Sequence, residues 1–129
     1  MRQIEFSEKN ELYFQVLIIN SVKPGIPCSE LCRVGMAVFK RSGFGDLVTS
    51  TSAGHGIGLH NYEMSILSRD NDQPLVDGTV IWVEPWHANQ ELRGLNLEDM
   101  VIVRKHGAEL TTTDLRETAP VTKIPNNSL

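Results

Sequence analysis

Apolar positions follow helical spacing in the first third of the chain and strand-like spacing in the remainder. Leu12, Val16 and Ile19 recur on one side of a helical wheel, and Phe14, Leu17 and Ile18 widen that stripe, which predicts a mostly buried helix. Ile4 and Phe6 alternate with Gln3 and Glu5, so residues 3–6 read as the end of a strand. Ser7 is then the N-cap of a helix over about 7–23, with Glu8 and Glu11 in its first turns, where the dipole favours anions. Pro24-Gly25 stops it. Leu31, Val34, Gly35, Val38 and Phe39 form the stripe of a second helix over about 28–43. Lys40 and Arg41 sit in its last turn, and Gly43 is its C′ residue.

The small, polar stretch Ser42–Ala53 reads as a loop, and residues 54–59 as an extended, glycine-rich segment. A short strand is expected around Ser65-Ile66-Leu67, and a polar turn over Asp70–Pro74. Apolar runs at about 79–84 and 97–103 predict strands, followed by a turn at Lys105-His106-Gly107. From Asp114 onward the chain reads as an extended tail. The predicted fold is α+β, with two helices packed on one face of a curved, mostly antiparallel sheet built from residues 54–111.

At 129 residues the chain has the length of one domain. Its net charge of −4 argues against a nucleic-acid partner, which requires a basic face. No apolar run approaches the ~18 residues of a membrane helix, so no membrane partner is expected, and residues 1–5 have no signal-peptide character. Cys28 and Cys32 are the only cysteines. They read as reduced thiols without a special role, in keeping with a cytoplasmic setting.

The chemistry gathers around Gly54-His55-Gly56-Ile57-Gly58-Leu59, where a histidine is flanked by glycines that let backbone approach a ligand closely. Two carboxylates follow in apolar runs: Glu84 in Val80-Ile81-Trp82-Val83-Glu84-Pro85, and Glu98 in Leu97-Glu98-Asp99-Met100-Val101. A carboxylate in such a setting is costly unless something neutralises it. An imidazole with carboxylates suits a divalent cation such as Mn, Fe, Co or Zn.

GHGIGL, Tyr62-Glu63, Gly78 leading into Val83-Glu84-Pro85, and Leu97-Glu98-Asp99 before an apolar run and a glycine stand in an order that resembles the creatinase, prolidase and aminopeptidase P family of metallohydrolases. The resemblance spans roughly residues 2 to 113. It implies the pita-bread fold, with residues 1–113 as the C-terminal half of a catalytic domain and 114–129 as a tail. It also implies metal-ligand roles for His55, Glu84 and Glu98, three of the family's five protein ligands to a pair of metal ions. The implied activity is metal-dependent hydrolysis of an Xaa-Pro peptide bond, in which Glu84 or Glu98 takes the proton of the attacking water. Tyr62, Glu63 and Trp86 are the implied substrate-side residues, and Tyr62 also a hydrogen-bond donor to an oxyanion.

The family's other two ligands are aspartates that precede the first helix. The only aspartate before His55 is Asp46, in a loop where the family places no ligand. Arg2–Phe6 resembles the stretch just after the second aspartate. The chain thus reads as half of a domain, inactive by itself and with no metal of its own to be expected. Its partners would be the missing N-terminal half, or another copy through the exposed sheet edge. Many peptidases of the family carry a histidine seven residues after the ligand histidine; here that position is Tyr62, and the histidine some carry four residues before it is Thr51. These departures keep two alternatives open: a creatinase-like enzyme acting on a small polar substrate, and a non-catalytic binding or assembly module.

Overall fold

The computed structural model describes residues 2–43, 52–61, 63–84 and 98–111, with side chains from Leu12 onward. Two helices, α1 (Arg2–Ser21) and α2 (Cys28–Arg41), precede four strands: β1 (Gly54–Gly56), β2 (Val80–Val83), β3 (Asp99–Arg104) and β4 (Gly107–Leu110). The strands form one antiparallel sheet in the order β1-β2-β3-β4. This is the expected α+β arrangement.

The helix begins earlier than the pattern suggests. Arg2–Phe6 belongs to α1, so the expected strand end at residues 3–6 is corrected, and Ser7 lies inside the helix instead of capping it. Two alternations are too few to define a strand. No glycine or proline interrupts residues 2–22, and the arginine, glutamine, glutamates and lysine there all favour helix. The buried stripe is also turned from the expected one. Phe14, Gln15, Ile18 and Val22 are buried, whereas Leu12, Val16 and Ile19 are half-buried. In α2, Leu31, Gly35, Val38 and Phe39 are buried as expected, and Cys28, Cys32 and Met36 join them. Gly43 follows the C-cap Ser42 with φ +80°, as the C′ reading requires.

The helices meet where α2 has no side chain. A Cβ at Gly35 would fall 2.5 Å from the Phe14 ring and 2.6 Å from Ile18 Cδ1. Phe14 also packs on Phe39, with ring centroids 5.3 Å apart and planes tilted by 47°, a favoured aromatic geometry.

The polar turn anchors α2. Its N-cap, Pro27, has no capping side chain, so the first amides of the helix find acceptors elsewhere. Cys28 N–H donates to the Gln73 carbonyl at 3.0 Å and Ser29 N–H to the Asn71 carbonyl at 2.7 Å, which satisfies donors that every helix start leaves open. Ser29 Oγ adds a 2.6 Å hydrogen bond to Asp72 Oδ1.

Around Ile66, no regular strand forms. An isolated bridge pairs Ser52 with Ser68, another pairs Gly56 with Glu63, and Leu67 N–H donates to the Gly54 carbonyl at 2.9 Å. Segment 63–68 thereby lies along the outer edge of β1.

Side-chain alternation gives the sheet two distinct faces. Ile81 and Val83 on β2, with Val101 and Val103 on β3, join Phe14, Ile18, Leu31 and Phe39 in one buried cluster beneath the helices. Trp82, Met100 and Ile102 point to the other face and are half-buried. Asp99, buried at the start of β3, belongs to the helix-covered side. The expected tail lies outside the described residues.

Candidate metal centre

His55 is the middle residue of β1 and pairs with Trp82, so its side chain shares the face away from the helices. Glu84 lies two residues beyond Trp82 and so projects to the same face. The β2–β3 register ends at Val83 opposite Asp99, and one further step sets Glu84 opposite Glu98. The topology therefore brings together three residues far apart in sequence.

The glycines set how closely this corner can be built. Gly54 has φ +150°, and a Cβ there would overlap the Trp82 carbonyl oxygen; one on Gly56 would overlap the Met64 carbonyl oxygen. In both cases the obstacle is backbone, so only glycine lets β1 lie between β2 and the 63–68 segment.

His55 is buried. Its Nδ1 stands 2.9 Å from the Gly56 carbonyl oxygen, and its Nε2 stands 3.2 Å from Glu84 Oε1. A carbonyl oxygen only accepts, so the short Nδ1 contact places a proton on Nδ1. Nε2 is thereby left facing the Glu84 carboxylate. Loss of water around Glu98 pushes its carboxyl above the usual range; the hydrogen bond and charge of Glu84 add to this, while His55 opposes it.

One imidazole nitrogen with its other nitrogen fixed by a carbonyl, together with two carboxylates, fits the chemistry of a divalent cation of the Mn, Fe, Co or Zn type. Among the described residues, no three histidine, cysteine or acidic side chains stand in the geometry of a formed metal site. Glu84 instead contacts His55 on one side and hydrogen-bonds Glu98 on the other.

Glu63 turns to the loop after β1. Its Oε1 accepts the His60 N–H at 2.9 Å, its own N–H donates to the Gly56 carbonyl at 3.0 Å, and its carboxylate covers Gly58 so closely that a Cβ there would require the carboxylate to shift. His60 and His106 are exposed. Tyr62 and Trp86 lie outside the described residues, as do Asp46 and Thr51.

Gln15 escaped the sequence reading. It is wholly buried, and its Nε2 donates to the Val83 carbonyl, one residue before Glu84, at 2.9 Å. The available signal was a lone amide inside the run Phe14–Ile18, where an unpartnered polar side chain is costly.

A two-helix layer thus covers one face of an antiparallel sheet, and His55, Glu84 and Glu98 gather at the opposite face. The model of metallopeptidase family M24 matches residues 12–105, and the chain belongs to that family. It is 30% identical over 117 residues to an Xaa-Pro dipeptidase of Pyrococcus furiosus, an alignment covering 86% of this chain and 33% of that protein. Among solved structures, X-Pro aminopeptidase from Thermotoga maritima superposes with a TM-score of 0.82 at 27% identity, covering 95% of this chain and 33% of that one. Xaa-Pro dipeptidase from Bacillus anthracis gives a TM-score of 0.82 at 27% identity, with 96% and 33% covered. The chain thus spans about a third of the length of these relatives, and the fold is the pita-bread type in part. Among the described residues, no helix is long and apolar enough to cross a membrane.

Proposed function

We propose that this chain supplies His55, Glu84 and Glu98 to the metal centre of an Xaa-Pro-type metallopeptidase. The observation that carries the reading is the His55–Glu84 contact: Nδ1 is committed to the Gly56 carbonyl, and Nε2 faces a carboxylate oxygen at 3.2 Å. The Xaa-Pro relatives support a peptide as substrate.

A divalent cation held here would polarise the scissile carbonyl and acidify water. The chain's own share is to present one imidazole and two carboxylates on a rigid sheet face. Gly56 fixes the imidazole tautomer through its carbonyl, and Glu84 or Glu98 accepts the proton of the attacking water. The family's aspartate pair is not represented by matching positions here. Three ligands suit one metal ion, whereas two ions about 3.5–4 Å apart clamp the reaction better. Turnover by these 129 residues is therefore expected to be very poor or nil.

The test compares metal content and Xaa-Pro hydrolysis for the chain, with added Mn or Co, against His55→Ala. Weak uptake that needs His55 and appears only with the ion supplied in excess, without appreciable turnover, is the expected result. Identical uptake by both proteins would overturn the ligand assignment. Robust turnover that His55→Ala abolishes would overturn the inactivity and point to Asp46 as a further ligand.

A further inference from the structure

We propose that Gln15 is a positioning residue for Glu84: it holds the peptide group that aims the carboxylate at His55. This deepens the ligand reading of Glu84 and rests on it.

The Val83 carbonyl and the Glu84 N–H belong to one planar peptide unit. That unit is gripped at both ends. Gln15 Nε2 donates to the Val83 oxygen at 2.9 Å from the helix layer, and Glu84 N–H donates to the Ala53 carbonyl at 3.0 Å from the β1 side. Two hydrogen bonds from opposite directions fix the rotation of the plane and the place of the Glu84 Cα, which limits where the side chain can reach to what φ and the side-chain torsions of Glu84 allow. Ala53 lies two residues before His55, so the same segment carries both the anchor and the imidazole. The next residue is Pro85, which has no N–H to anchor the far side of Glu84.

The chemistry of position 15 agrees. Gln15 is 0% exposed within a helix face otherwise formed by Phe14, Ile18 and Val22. An apolar side chain of similar length would pack there without the desolvation that an amide suffers. What the amide adds is a donor, placed where β2 ends and Val83 is the last paired residue before the site.

Amide hydrogen exchange on Gln15→Met, which keeps length and removes the donor, tests the proposal. The reference amides are Val103, bonded to the Thr79 carbonyl, and Leu75, bonded to the Ile26 carbonyl. Exchange at Glu84 is expected to accelerate by about 3- to 10-fold relative to those two. Val22→Ala, a cavity in the same core, should leave that ratio unchanged. An unchanged ratio in Gln15→Met, or equal acceleration of all three amides, overturns the proposal. If Gln15→Met does not fold, Gln15→Asn, which keeps the amide on a shorter stem, is read in the same way. Zn2+ titrations against a competing chelator add a second readout, with His55→Ala as reference. Weaker Zn2+ binding by Gln15→Met is expected. Unchanged binding in that variant, where His55→Ala does weaken it, also overturns the role. If His55→Ala binds Zn2+ as the parent chain does, the ligand reading fails, and the exchange ratio alone decides whether Gln15 positions Glu84.

Discussion

Gly35 of α2 lies directly over the ring of Phe14 in α1, and the space that a methyl group would need is already filled by that ring and by Ile18. Gly35→Ala should gain up to about 1 kcal/mol in helix propensity. It must also displace two fully buried side chains, which typically costs about 1–3 kcal/mol. Net destabilisation is expected, read as a lower urea midpoint with an unchanged slope.

Gly56→Ala should be worse. Here the added carbon meets the Met64 carbonyl oxygen, and backbone yields less readily than a side chain. The loss is expected at or above the upper end of about 1–3 kcal/mol. Segment 63–68 should come away from β1, seen as selective loss of hydrogen-exchange protection at Glu63, whose amide bonds to the Gly56 carbonyl at 3.0 Å.

Asp72→Ala removes the acceptor that ties the turn to Ser29 at 2.6 Å. The pair is exposed, so about 0.5–1.5 kcal/mol is expected in chemical denaturation. Asp72→Asn keeps an acceptor oxygen and should recover most of it.

Burial pushes the Cys28 and Cys32 thiols up from their ordinary range; a backbone hydrogen bond partly offsets this at Cys28, and the charge of Arg69 does so at Cys32. A group whose folded pKa is raised contributes stability below its unfolded pKa and loses it as pH rises through the folded one. Stability should therefore fall as pH climbs past about 8.5, where unfolded thiols ionise. The slope of thermal midpoint against pH in that range should flatten in a Cys28→Ala, Cys32→Ala double variant. In the native chain at pH 8, both thiols should react slowly with a thiol reagent and rapidly in denaturant.

Much of this was legible in the residues. Apolar spacing alone gives the α2 stripe and the strands expected at about 79–84 and 97–103, observed as Val80–Val83 and Asp99–Arg104, and the fold class follows from them; the turn expected at Lys105-His106-Gly107 comes from its polar residues and glycine. The order of GHGIGL, Glu84 and Glu98 pointed to one corner, and the register shows why: paired strands turn separation in sequence into adjacency. What was not legible depends on contacts between distant segments. The buried face of α1 centres on Phe14, Gln15 and Ile18 because Gly35 admits that ring there. Asp70–Pro74 looked like an idle surface turn because nothing local says that its carbonyls receive the first amides of α2. Gln15 was hidden because its partner is a backbone oxygen 68 residues away.

The alternation along β2 carries two messages in one short text. Ile81 and Val83 are written for the core, and Trp82 and Glu84 for the opposite side. A single inserted or deleted residue would exchange the two readings, driving a carboxylate beneath the helices and two aliphatic side chains to the face that carries His55. A length change at this place therefore costs the core and the site together. Substitution, by contrast, leaves the alternation in place and changes one face at a time.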